Sequence, residues 1–227
     1  MSEKSQRLNK QLALWQGISR RQADDLIASG QVTVNNQKAV LGQRISETDL
    51  VKINNIIVKR TQTYRLIAVN KPTGITCSRS HQGNDKTIYD ILPANFKSLK
   101  TVGRLDKDSS GLILMSNDGD FIYRMTHPSF HKLKIYKVRL DRDLEPLHQQ
   151  MINDFGVNLP DGRSQLQLER LSHDNRQEWQ ITMSEGRNRQ IRRTFAALGY
   201  EVVKLHRIQF DKYQLTGLKS GDYLEIK

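Results

Sequence analysis

The chain has 227 residues, enough to bury a sizeable core and better suited to one medium domain plus a small one than to a single module. Its 36 Lys and Arg against 24 Asp and Glu leave a formal net charge of +12, which favours a polyanionic partner, nucleic acid ahead of an anionic membrane. Mean hydropathy is -0.63, there is no long apolar run, Met1–Arg7 lacks the apolar core of a signal peptide, and Cys77 is the sole cysteine. A soluble, unprocessed, cytoplasmic chain with neither an intrachain disulfide nor a thiolate metal cluster is expected.

In chain order, residues 1–62 carry ten basic and five acidic side chains and read as a small module of two helices and a small sheet. Ser19-Arg20-Arg21-Gln22 has capping-box spacing, Ala23, Leu26 and Ile27 follow at helical intervals, and Gly30 offers a C-cap. Val32 and Val34 alternate up to Asn35-Asn36, and Leu50-Val51-Lys52-Ile53 runs through Asn54-Asn55 into Ile56-Ile57-Val58, as strands joined by tight turns do. Lys59–Thr63 reads as a linker, which puts a boundary near residue 62 and a second domain over 63–227. There, strand character recurs at Tyr64–Val69, Leu112–Met115, Ile135–Leu140, Leu166–Leu171, Trp179–Met183 and Val202–Leu205. Two helices are expected, one placing Leu144, Leu147, Met151 and Phe155 on one face, the other spacing Ile191, Phe195 and Leu198 before Gly199. That is too few for a doubly wound sheet, so the expected class is α+β with a mainly antiparallel sheet.

Three segments carry candidate chemistry. Gly103-Arg104-Leu105-Asp106 sets a carboxylate beside an arginine just before an apolar strand, a pattern compatible with a turn, a metal ligand or a catalyst. Glu185–Arg193 places Arg187, Arg189, Arg192 and Arg193 at a helix N-terminus, where the macrodipole already favours anions, so something negative should sit there. Arg189 and Arg192 are i,i+3 neighbours, one or both within reach of a buried carboxylate or a phosphate. Phe121–Leu140 holds Arg124, Lys132, Lys134, Lys137 and Arg139 and no acid. If its end is a strand, Tyr136 shares a face with Val138 and Leu140: a core tyrosine, or a ring that stacks on a base. His127 and His131 have metal-pair spacing, but Pro128 interrupts the helix such a pair needs. Asp106-Lys107-Asp108 is too weak a pattern among basic neighbours to indicate a cation, so no metal is expected. Asp118-Gly119 reads as a turn.

Taken together, these segments resemble the ribosomal RNA pseudouridine synthases, the branch containing small-subunit synthase A and large-subunit synthases B, E and F. Asn70-Lys71-Pro72-Thr73-Gly74 resembles the family's NKPxG motif, Gly103–Asp120 its GRLDxDSxGLxLxTNDG block, Lys134-Ile135-Tyr136 its KxY strand, and Glu185–Arg193 its EGRxxQxRR helix, although Thr194 stands where methionine is usual. Residues 6–58, with Ser19-Arg20-Arg21 and Gly30–Asn35, resemble the S4 RNA-binding module. The resemblance implies that Asp106 is the catalytic carboxylate, that Tyr136 stacks on the target uracil, that Arg192 pairs with Asp106, and that Arg104 helps extrude the nucleotide. It implies no cofactor and no metal. Burial would raise an aspartate's pKa in such a pocket, and a facing arginine would offset that. RNA contacts are expected from Ser19, Arg20, Arg21, Lys71, Arg187 and Arg189. Lys107-Asp108-Ser109, Asn188-Arg189-Gln190 and Gly199–Val202 lean towards large-subunit RNA. The partner is ribosomal RNA or a pre-ribosomal particle, and the chain is expected to act as a monomer. Left open are a noncatalytic S4-type RNA-binding or ribosome-assembly factor on the same scaffold, a synthase acting on 16S rRNA or tRNA, and a metal-dependent enzyme using Asp106 and Asp108. Whether Asp106 attacks the sugar, attacks the base or removes a sugar proton is also open.

Overall fold

In the computed structural model the described residues are 5–60, 64–81 and 83–226, and the chain divides between Tyr64 and Arg65 into two compact units. The expected linker falls partly on residues 61–63, outside the described residues.

In the first unit, α1 (Leu8–Gln16) ends where Gly17 turns left-handed, and α2 (Arg20–Ala28) starts on the expected capping box. Ser19 accepts from the Gln22 N–H at 3.1 Å while the Gln22 side chain accepts from the Ser19 N–H at 2.9 Å. Val32–Val34, Gln37–Lys38, Val51–Ile53 and Ile56–Ile57 form a four-stranded antiparallel sheet. Its two hairpins close on Asn35-Asn36 and Asn54-Asn55, all four at positive φ between 46° and 67°. Asparagine tolerates that region because its short amide bonds locally, and such two-residue loops match the strand twist. Leu8, Leu12, Ala23, Ile27, Val32 and Val51 are the buried centre between helices and sheet.

The second unit is built on a mixed, mainly antiparallel sheet, as expected for α+β. Its strands run in the order Gln167–Arg170, Glu178–Met183, Lys134–Leu140, Val202–Phe210, Ser110–Ser116, Leu66–Lys71, Tyr223–Ile226. Only the Val202–Phe210 and Ser110–Ser116 neighbours are parallel, in register at His206/Ser110 and Arg207/Gly111. Backbones approach closely there: a Cβ on Gly111, whose φ is +106°, would lie 2.2 Å from the Arg207 carbonyl oxygen. Only glycine fits.

Alternate residues of Leu66–Lys71 and Ser110–Ser116 feed two cores. Ile67, Val69, Ile113 and Met115 join Tyr136, Val138, Trp179 and Ile181 on one face, which Ile191 and Phe195 of α5 (Gln190–Ala196) cover. Burying each of those two α5 side chains contributes about 1.5–3 kcal/mol. Ala68, Leu112 and Leu114 pack with Met125 on the other face. Met125 belongs to α3 (Gly119–Thr126), a helix where a turn at Asp118-Gly119 is expected. Asp118 is its N-cap, accepting from the Asp120 and Phe121 N–H groups at 2.9 and 3.1 Å. The expected helix face at 144–155 is also corrected. Leu144 is buried ahead of the short α4 (Pro146–Gln150), and a π-turn over Met151–Phe155 rotates the pattern, leaving Leu147 and Phe155 exposed and Ile152 buried.

Candidate active site

Asp106 sits in the turn that leads into Ser110–Ser116, at the wall of a cleft of about 430 Å³. Three hydrogen bonds fix the turn. Leu105 N–H donates to Cys77 Sγ at 3.4 Å, Ser109 N–H to the Asp106 carbonyl at 3.1 Å, and Gly74 N–H to the Lys107 carbonyl at 2.8 Å. Lys71 holds the Pro72–Ile75 loop, whose Gly74 makes one of these contacts. Its side chain is fully buried, and Nζ donates to the Pro72 and Ile75 carbonyls at 2.9 and 2.7 Å. Burial pushes the Lys71 pKa down, against the opposing influence of Cys77, Asp108 and Asp106. The expected RNA contact at Lys71 is therefore corrected: the ammonium is inside, holding the Pro72–Ile75 loop.

The four arginines divide between two aspartates. Arg189 is the N-cap of α5 in the left-handed region (φ 46°), which turns its side chain toward the Asp106 loop. It holds Asp108 through two hydrogen bonds, at 3.1 and 2.9 Å, and its Nη1 lies 3.8 Å from Asp106 Oδ2. Arg192 does not pair with Asp106, contrary to expectation. Its Nε faces Asp108 at 3.2 Å, Nη2 donates to the Asp108 carbonyl at 3.0 Å, and Nη1 to the Val202 carbonyl at 2.6 Å. Arg192 thus braces the loop, and Arg189 is the arginine facing Asp106. Burial opposes ionisation of Asp108, but the Arg189 hydrogen bonds and the charges of Arg192 and Arg189 outweigh it and hold the carboxyl below its ordinary range.

Arg187 and Arg193 share Asp161. Arg187 Nη1 reaches its carboxylate at 3.0 Å and Arg193 Nη2 at 2.6 Å, while Arg187 also donates to the Gly162 and Arg163 carbonyls at 2.9 and 2.8 Å. Arg187 is a structural clamp on the Val157–Ser164 hairpin and also lines the cleft. The negative groups expected at this helix start are in part the protein's own Asp108 and Asp161. Thr194, fully buried, completes the clamp: its hydroxyl bonds Ser164 Oγ at 2.8 Å and the Gln190 carbonyl at 2.9 Å.

Tyr136 lines the cleft from the Lys134–Leu140 strand, buried on the same face as Val138 and Leu140. Arg207 stands directly across from it on the neighbouring strand and Ile181 on the other side. Lys134 also lines the cleft, donating to the Lys132 and Glu185 carbonyls at 3.0 and 3.3 Å. Burial, then the Arg207 charge, lowers its pKa to about 8. Arg104 lies exposed at the rim, with no ion pair or hydrogen bond among the described residues. Sequence reasoning missed Arg207, Ser109 and Asp161. Arg207 is marked only by a register between distant strands, Ser109 sits inside a motif whose aspartate takes the attention, and Asp161 reads as part of a Pro-Asp-Gly turn.

In the first unit, Arg20 and Arg21 are exposed in the first turn of α2, and the Ser19 hydroxyl is engaged in the cap. Two like cations at a positive helix end are unfavourable without an anion, so this edge suits phosphate.

A cleft that brings Asp106, the facing Arg189 and the buried Tyr136 together agrees with the comparisons to known proteins. The sequence profile described as RNA pseudouridylate synthase matches residues 65–197, and that of the S4 domain residues 6–51. "Ribosomal large subunit pseudouridine synthase B" of Bacillus subtilis (strain 168) is 32% identical over 226 residues, covering 97% of this chain and 92% of the relative. "Dual-specificity RNA pseudouridine synthase RluF" of Escherichia coli (strain K12) is 32% identical over 228 residues, covering all of this chain and 77% of the relative. A solved pseudouridylate synthase structure superposes with a TM-score of 0.69 at 30% identity, over 98% of this chain and 96% of that one. The chain belongs to the RNA pseudouridylate synthase family and carries an S4 domain at its N-terminus.

Proposed function

We propose that this synthase converts a uridine of ribosomal RNA, in the large subunit, to pseudouridine, with Asp106 as the reacting carboxylate. The observation that carries the reading is the convergence of Asp106, Tyr136 and Arg189 on one cleft whose volume, about 430 Å³, falls within the range of small-molecule sites. A uridine inside a folded RNA must leave its stack to reach such a cleft. Tyr136 supplies an aromatic face beside the base, and Arg104, exposed at the rim, enters the gap left in the RNA. Arg189 faces Asp106 with positive charge and Arg192 keeps the turn in place through Asp108. The S4 unit adds phosphate contacts through Arg20 and Arg21, and the protein works as a monomer in the cytoplasm. The name of the Bacillus subtilis relative, a ribosomal large subunit pseudouridine synthase, supports the large-subunit target.

The test is to incubate the purified protein with 23S, 16S and transfer RNA transcripts and map pseudouridine in each. New pseudouridine confined to 23S RNA is the expected result. Pseudouridine only in 16S or transfer RNA would overturn the target, and none in any transcript would overturn the activity.

A further inference from the structure

Three residues lining the cleft, Ser109, Arg187 and Arg207, each keep a buried polar atom without a hydrogen-bond partner, but Arg187 already pairs with Asp161 through another nitrogen. Arg207 is 2% exposed, and its Nε donates to the Leu112 carbonyl at 2.7 Å, but Nη2 is buried with no partner. Ser109 is 1% exposed, and its Oγ also has none. Both line the cleft that holds Asp106 and Tyr136. No carboxylate pairs with Arg207 among the described residues, although six other arginines of the same unit have found theirs. The Phe210 ring, 4.9 Å from the Arg207 guanidinium and 5.4 Å from Lys134 Nζ, compensates the two cations only in part. Lys134 directs its donors at carbonyls, so Arg207 is the cation left for something else. A buried guanidinium nitrogen and a buried hydroxyl without partners each cost stability, and two in the lining of one cleft indicate a ligand that satisfies both.

The cross-strand register indicates which part of the substrate that is. Arg207 lies directly opposite Tyr136, so the two side chains stand side by side on one sheet face. A uracil stacked on Tyr136 has its edge beside the guanidinium. When the N1–C1′ bond breaks, its electron pair stays on the uracil and spreads over O2 and O4. After the ring turns, C5 forms the bond to C1′ and releases its proton, while N1 takes one up, with nothing oxidised or reduced. We propose that Arg207, with the Ser109 hydroxyl, binds the uracil carbonyl edge and stabilises the negative charge of the detached base. Preorganised donors in a closed site act most strongly on charge that develops during reaction.

This inference rests on the proposed activity, and its test separates the two. Single-turnover rates of N1–C1′ cleavage are measured for Arg207→Gln, Arg207→Lys and Ser109→Ala, with uridine and with 5-fluorouridine at the target position. Fluorine withdraws electrons and stabilises the detached base by itself. Arg207→Gln is expected to slow uridine by about 100-fold or more, and 5-fluorouridine by about tenfold, with RNA affinity unchanged. Arg207→Lys keeps the charge and restores most of the rate. Ser109→Ala removes no protein hydrogen bond, so it melts as the parent does and slows uridine by about tenfold. Equal slowing of both substrates by Arg207→Gln would mean damage to the fold rather than loss of charge stabilisation, and parental rates in Ser109→Ala and Arg207→Gln would equally overturn the inference. A parent protein that cleaves neither substrate would instead overturn the proposed function.

Discussion

Asp108, next but one to Asp106, the carboxylate proposed to react, is the residue on which the site's electrostatics turn. It receives Arg189 and Arg192 together, which fixes the first arginine opposite Asp106 and leaves the second as a brace. Because its pKa in the fold is depressed, Asp108 stabilises the native state above the ordinary carboxylate range, near 3.9, and loses that contribution as pH falls through its lowered value. In Asp108→Asn the acid limb of a stability-versus-pH curve should become shallower, with turnover reduced because Arg189 loses its anchor; an acid limb identical to the parent's would contradict the pairing. Asp106 and Tyr136 are legible in the sequence because each sits in a short, local motif. The partner of Arg192 is not. Residues 189 and 192 both reach residue 108 across the fold, and which of them also faces Asp106 depends on Arg189 adopting a positive φ at the helix cap. Lys71 misleads for a related reason: Asn-Lys-Pro looks like a surface turn, and nothing local announces that its ammonium is enclosed by carbonyls.

At the scale of elements, the site is organised by the one parallel contact in the sheet. Gly111 lets the strand that follows the Asp106 turn lie against Arg207, which places that arginine opposite Tyr136. Gly111→Ala combines a strained φ with a Cβ pressed against backbone, so we expect a loss of about 3 kcal/mol. For a protein of this size that is roughly 6–12 °C in thermal melting, and a variant melting with the parent would contradict the close approach. Strand positions were readable from alternation and apolar runs, and the α2 capping box from four consecutive residues. The α3 helix was not, because Asp118-Gly119 serves equally as a turn or as cap and first residue, and only the burial of Met125 beneath the sheet decides between them. Residues 144–155 defeat a 3.6-residue reading because a π-turn changes the period midway.

For the whole molecule, composition indicated a polyanionic partner, and the net charge of +12 explains it without naming the RNA. The division into an S4 unit and a synthase unit followed from motifs, but the mixed sheet's strand order rests on long-range pairing that no local pattern encodes. Phosphate contacts are expected to supply most of the RNA affinity, whereas the chemistry is proposed to depend on Asp106 alone. The direct test is Asp106→Asn, compared with the parent for pseudouridine formation on 23S RNA and for RNA affinity across a salt series. We expect no pseudouridine, with affinity and its salt dependence unchanged; pseudouridine formed by the variant at more than about a thousandth of the parental rate would contradict the assignment of Asp106.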